Sequence, residues 1–160
     1  MKKIAQILLI LCLCSSLSAC KKNKNEDVKP DEVAVVHGKV YGKDYTTVTG
    51  RANTDVSQNV ERVIVNLSGN SSFNCASPEE SGYSVYFRVP KKVGIYTQAS
   101  NNIWLGFNDS ASDQSVGLVS ADCKVEITSV SNGRVAGKIS FADQESDSDV
   151  NGTFDVAFCQ

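Results

Sequence analysis

From Val33 to the carboxy terminus the apolar residues recur at every second position in short runs, and no stretch carries the i, i+3, i+4, i+7 spacing of an amphipathic helix. Each run is therefore read as a strand with one buried face. Val33 to Lys39 and Asp44 to Ala52 form the first pair, joined through Gly42-Lys43-Asp44. Val63, Val65 and Leu67 make one inward row, and Tyr83, Val85, Phe87 and Val89 make another that Pro90-Lys91-Lys92 breaks. Gly94 to Gln98 and Ile103 to Phe107 read as a hairpin about Ser100-Asn101-Asn102. Cys123, Val125 and Ile127 face inward, Ser131-Asn132-Gly133 turns the chain, and Val135, Gly137, Ile139 and Phe141 return along the partner. A polar loop from Asp143 to Asn151 then leads to a last strand with Phe154, Val156 and Phe158 inward. The pattern predicts an all-β domain over residues 33–160, an antiparallel sandwich or flattened barrel of about eight or nine strands.

The amino terminus follows a different pattern. Lys2-Lys3 precede an apolar run from Ile4 to Leu17, too short to span a bilayer and built like a secretory signal. The run closes on Leu17-Ser18-Ala19-Cys20, which resembles the lipobox of bacterial lipoproteins. That resemblance implies cleavage after Ala19 and diacylation of Cys20, so residues 1–19 are the signal and Cys20 anchors the mature chain in a membrane. Lys21 in place of an Asp implies the outer membrane, without favouring either of its faces. Residues 20–32 contain almost no apolar side chains and read as a tether, about 40 Å long if fully extended.

Composition narrows the function classes. The whole chain carries a formal charge of −2 and the only basic cluster, Lys21, Lys22 and Lys24, lies beside the anchor, so no nucleic-acid footprint is present. Of six cysteines, Cys12 and Cys14 leave with the signal and Cys20 takes lipid, which leaves three for an oxidising compartment. Cys123 shares the inward row of Val125 and Ile127, whereas Cys159 faces outward and Cys75 sits in a polar loop, so the expected disulfide is Cys75 with Cys159.

Catalytic materials are sparse. His37 is the sole histidine and has no cysteine pair at ligand spacing, so neither a zinc site nor a Ser-His-Asp triad is assembled, and no cofactor motif is found. Asp147, Asp149, Asn151 and Gly152 copy the opening of a calcium loop, but its twelfth position is Phe158 instead of a bidentate Glu, so the bland reading is a solvated acidic loop. Glu79-Glu80 and the pair Asp143, Glu145 lack the fixed separation across a cleft that glycosidases need. Trp104, Tyr86 and Tyr96 fall out of phase with the inward rows, which makes them candidates for stacking on sugar rings or on a partner protein. Asp109-Ser110-Ala111 resembles an O-glycosylation acceptor of Bacteroidota envelope proteins.

Gly42-Lys43-Asp44-Tyr45, Gly94-Ile95-Tyr96, Val135 to Phe141, Val150 to Phe154 and the terminal Phe158-Cys159 together resemble small Bacteroidota-type lipoproteins with a β-sandwich domain of unknown function. The resemblance covers most of residues 33–160, implies the fold, and supplies no catalytic residues. The expectation is a non-enzymatic outer-membrane lipoprotein serving as a binding or structural module. The alternative is a surface lipoprotein that binds a glycan or peptide through exposed aromatics, with an enzyme or inhibitor as a third class.

Overall fold

The computed structural model describes residues 35–57, 60–76 and 82–159. Leu17, Ser18, Ala19, Cys20, the tether and Glu79-Glu80 lie outside the described residues. The compact unit Val33–Gln160 is all-β. Its strands are β1 (His37–Val40), β2 (Lys43–Thr46), β3 (Thr49–Ser57), β4 (Val60–Ser68), β5 (Tyr83–Pro90), β6 (Gly94–Thr97), β7 (Leu105–Asp109), β8 (Gln114–Leu118), β9 (Lys124–Ser131), β10 (Arg134–Asp143) and β11 (Ser148–Cys159), with a single helical turn, α1 (Gln98–Asn101), after β6.

The strands form one curled mixed sheet, a half-barrel, in the order β6-β9-β10-β11-β3-β4-β5-β7-β8, and the β1–β2 hairpin hangs from β11. All ladders are antiparallel except β11 with β3, where Ala157, Phe158 and Cys159 run parallel to Arg51, Ala52 and Asn53. The inward rows read from the sequence converge on one core, in which Val63, Val65, Leu67, Val85, Phe87, Val89, Val125, Ile127, Ile139 and Phe141 are buried together. Phe87 of β5 meets Phe154 of β11 edge to face, their ring centroids 5.4 Å apart, so the curl brings the two halves of the sheet into contact. Each such side chain contributes about 1.5–3 kcal/mol on leaving water, which makes the common inner face the main stabilising element.

Several boundaries differ from the sequence expectation. The first turn is the two-residue Tyr41-Gly42, both with positive φ (50° and 69°), so Lys43 and Asp44 already belong to β2. The predicted second strand is divided: Thr47 N–H donates to Val36 O and Val48 N–H to Ser68 O, so the chain changes partner between β2 and β3. β8 has no counterpart in the alternation pattern, because Val116 and Leu118 are its only large apolar residues. The polar loop at Asp143 to Asn151 shrinks to a turn over residues 144–147, since β10 and β11 stay paired as far as Asp143 and Ser148.

The expected hairpin between Gly94–Gln98 and Ile103–Phe107 does not form. β6 pairs with β9 at one end of the sheet, while β7 pairs with β5 and β8 near the other. Thr97 caps α1 by accepting from Ser100 N–H, and Asn102 ends it in the left-handed region, so the segment is a compact turn and not a hairpin loop. From Thr97 to Leu105 the chain can reach at most about 28 Å, which keeps the two ends of the sheet near each other and demands the curl.

Candidate functional site

The outer face of β3, β4, β5 and β7 is where the predicted aromatics gather. Strand register sets Arg51, Asn66, Tyr86, Gly106 and Gly117 in one row across five strands. The adjoining row contains Asn53, Ile64 and Arg88, with Trp104 immediately before β7. Tyr86 and Trp104 are half-buried and meet edge to face, with centroids 5.5 Å apart.

Two glycines explain how the rings lie. A methyl group placed on Gly106 would come within 2.1 Å of the Tyr86 ring, and one on Gly117 within 3.4 Å of the Trp104 indole. Both rings therefore rest against bare strand backbone, which fixes them at low conformational cost. Around them Arg51, Asn53, Ile64, Asn66, Arg88 and Asn108 line a depression of about 270 Å³. Beyond Trp104 and Arg88, which line both, a second depression of about 130 Å³ is bounded by Val60, Arg62, Pro90, Asn101 and Asn102. The aromatic pair with surrounding amides and guanidinium groups offers ring faces together with hydrogen-bonding groups, as a polar ligand bearing flat apolar patches requires.

Tyr96 does not join this site. It is 8% exposed, sits opposite Val125 on the inner row and donates its hydroxyl to Lys92 O at 2.7 Å, with burial holding the phenol above its usual range. Its neighbour Ile95 is the outward residue, at 57% exposure. The phase was misjudged because the expected hairpin partner for this segment was wrong: pairing with β9, not β7, decides which side faces the core.

One end of the face is closed by the segment from Gly69 to Ala76. Phe73 is buried outside the main core, under the Arg51 guanidinium at 4.7 Å, and its carbonyl accepts from Thr49 Oγ1 at 3.0 Å. Asn70 N–H donates to Ser68 Oγ, and Ser68 and Ser84 are buried on this face. Cys75 is joined to Cys159, with Cα atoms 5.4 Å apart, so the segment is tied to the outward side of β11. Cys123 stays free and buried, its thiol pushed up to about 11 by desolvation. Arg88 Nε lies 3.0 Å from Asp55 Oδ2 as an ion pair, which holds the guanidinium beside Trp104.

Arg51, Asn53, Asn66, Phe73, Arg88 and Asn108 escaped the sequence reading. Apart from Phe73, which lies between β4 and β5, their phase was legible strand by strand, but which strands lie side by side was not.

The remaining candidates hold structural places. Asp149 and Asn151 lie on β11 opposite Lys39 and His37, Asn151 Nδ2 donates to Asp149 Oδ1, and Asp147 belongs to the preceding turn. These residues lie on a paired strand and its turn, and no group of three or more His, Cys, Asp or Glu able to hold a metal occurs among the described residues. His37 is exposed, with Nδ1 2.8 Å from Val35 O. Asp143 accepts from Ser146 Oγ as part of the same turn.

Asp109 is buried on the opposite face of β7. Ser112 Oγ, Ala111 N–H and Lys43 Nζ all donate to it, and these bonds, the serine foremost, hold its carboxyl below the usual range. Lys43 also lies 5.0 Å from the Tyr83 ring centroid, and its amine is raised by Tyr83 first and by Asp109. With its acceptor sites engaged, Asp109 braces the β7–β8 turn. Comparison with models of protein families, with curated protein sequences and with solved structures finds no match for this chain.

Proposed function

We propose that this chain is a lipoprotein anchored in the outer membrane through Cys20, whose β domain is a non-enzymatic module that binds glycan on the Tyr86–Trp104 face. The observation that carries the binding reading is the pair of aromatic rings seated over Gly106 and Gly117 and ringed by Asn53, Asn66 and Asn108. Sugar rings present apolar faces for stacking and hydroxyls for amide groups, and rings already held in place lose little entropy on binding. The lipobox supports the anchor, and two or more acyl chains suffice for stable attachment.

The full chain, applied to an immobilised glycan panel, should retain at least one class of glycan and lose it in the Trp104→Ala and Tyr86→Ala variants. Retention unchanged in both variants would remove this face from consideration. Palmitate labelling tests the anchor: it should vanish in Cys20→Ala, and persistent labelling would refute lipidation at that residue.

A further inference from the structure

We infer that the glycan on this face is acidic, a uronic-acid oligosaccharide long enough to lie on both sides of Trp104. The inference rests on the glycan reading above and adds charge and length to it. Among the described residues, every charged side chain lining the two depressions is an arginine: Arg51 and Arg88 in the larger, Arg62 and Arg88 in the smaller. The remaining lining is aromatic, amide and aliphatic. This concentration of positive charge stands on a chain whose formal charge is −2, so it is local and not a reflection of overall basicity.

Asp55, a carboxylate among the described residues, lies 3.0 Å from Arg88 Nε and across the strand pair from Arg62. That ion pair holds the Arg88 side chain in position, and the side chain stays 40% exposed. Lys91 and Glu61, close by, neutralise each other at 2.7 Å. A planar carboxylate matches the guanidinium fork, and sugar carboxylates repeat along a polyuronate chain as the arginines repeat along the face.

Length follows from the arrangement of the two depressions. Trp104 and Arg88 line both, so the indole stands at the boundary the two share. A single sugar occupies one side only. A chain of two or more places a ring on each side and reaches Arg62 with its outer carboxylate.

The test uses the full-length chain in a polyoxyethylene detergent, which carries no sugar headgroup to compete. Trp104 is the only tryptophan, so its emission reports this site alone. Trimers of galacturonate and of mannuronate should quench it to saturation, about tenfold or more tighter than galacturonate monomer or the neutral trimers maltotriose and cellotriose. Affinity should fall as salt rises, and Arg62→Gln, which leaves the Arg88–Asp55 pair intact, should weaken the trimers by about tenfold while changing monomer binding little.

Neutral trimers that bind as tightly as acidic ones would overturn the acidic inference and leave the glycan reading standing. A monomer equal to the trimers would overturn the inference of length. If none of the acidic trimers alters the emission while the glycan panel still retains the chain through Trp104, this inference fails alone. If the panel too is empty, both readings fail.

Discussion

Removing the disulfide by Cys75→Ser together with Cys159→Ser separates two roles the bond could have. The cysteines are 84 residues apart in sequence, so in the chain-entropy account the bond removes about 4.5 kcal/mol of freedom from the unfolded state. Measured losses for such bonds run about 2–5 kcal/mol, a large share of the roughly 5–15 kcal/mol that holds a domain folded. The native segment has other supports: buried Phe73, the Thr49 bond to its carbonyl, and Asn70 on Ser68. The double variant should therefore fold, melt about 10–20 °C lower, and keep its native Trp104 emission. Urea unfolding followed at Trp104 gives the free energy, with Cys123→Ser as the control that leaves the bond intact. A loss below about 1 kcal/mol would refute the long-loop argument. A shifted emission or rapid proteolysis near Phe73 under native conditions would show that the bond, and not Phe73, seats the segment. Peptide mapping that links Cys123 to either partner would refute the pairing itself.

Four further outcomes follow from the same geometry. In Gly106→Ala the new methyl meets the Tyr86 ring at 2.1 Å, so the ring must leave its seat and Trp104 loses its edge partner. The emission should shift to the red while stability changes by less than about 1 kcal/mol, because the lost aromatic contact is offset by better strand propensity, and an unshifted spectrum would contradict the seating. Asp109 has a depressed folded pKa, so its contribution to stability is complete above the ordinary carboxyl value of about 4 and is lost as pH falls through the folded value. The melting-temperature gap between wild type and Asp109→Asn should accordingly be wide at pH 7 and close near pH 2, whereas a gap independent of pH would show that the charge is not what matters. Lys43 has a raised pKa, so its share persists below about pH 10.5 and is lost only above it, which a Lys43→Met comparison from pH 8 to pH 11 would reveal as a gap that narrows only at the alkaline end. Cys123, with its thiol at about 11, should resist a disulfide reagent at pH 8 until the chain is unfolded in urea, and reaction on mixing with the native protein would contradict its burial.

Period-two alternation sufficed to identify the all-β class, most strands and nearly all of the core, because burial of one strand face leaves a mark on every second residue whatever the strand pairs with. Val63, Val65 and Leu67, or Val125 and Ile127, face inward in the structure as their spacing requires. The turn Asn132-Gly133 was equally plain, since both residues take positive φ there. The pairing of Cys75 with Cys159, which left the inward Cys123 free, likewise followed from phase.

Partnership was not legible. Alternation states which side of a strand is buried and is silent on its neighbour, so β6 was joined to β7 when it belongs beside β9, and Tyr96 was placed outside when it lies in the core. The same limit hid the binding face. Arg51, Asn66, Tyr86 and Gly106 are far apart in the chain and become one row only through three strand registers, one of which closes across the segment that carries Phe73. The sequence by itself determined that Trp104 and Tyr86 are out of phase with the core and that Cys75 and Cys159 are the cysteines free to pair. Only the tertiary structure decided that both aromatics lie over glycines among arginines and amides, because register between strands is set by packing of the whole sheet and not by any local pattern.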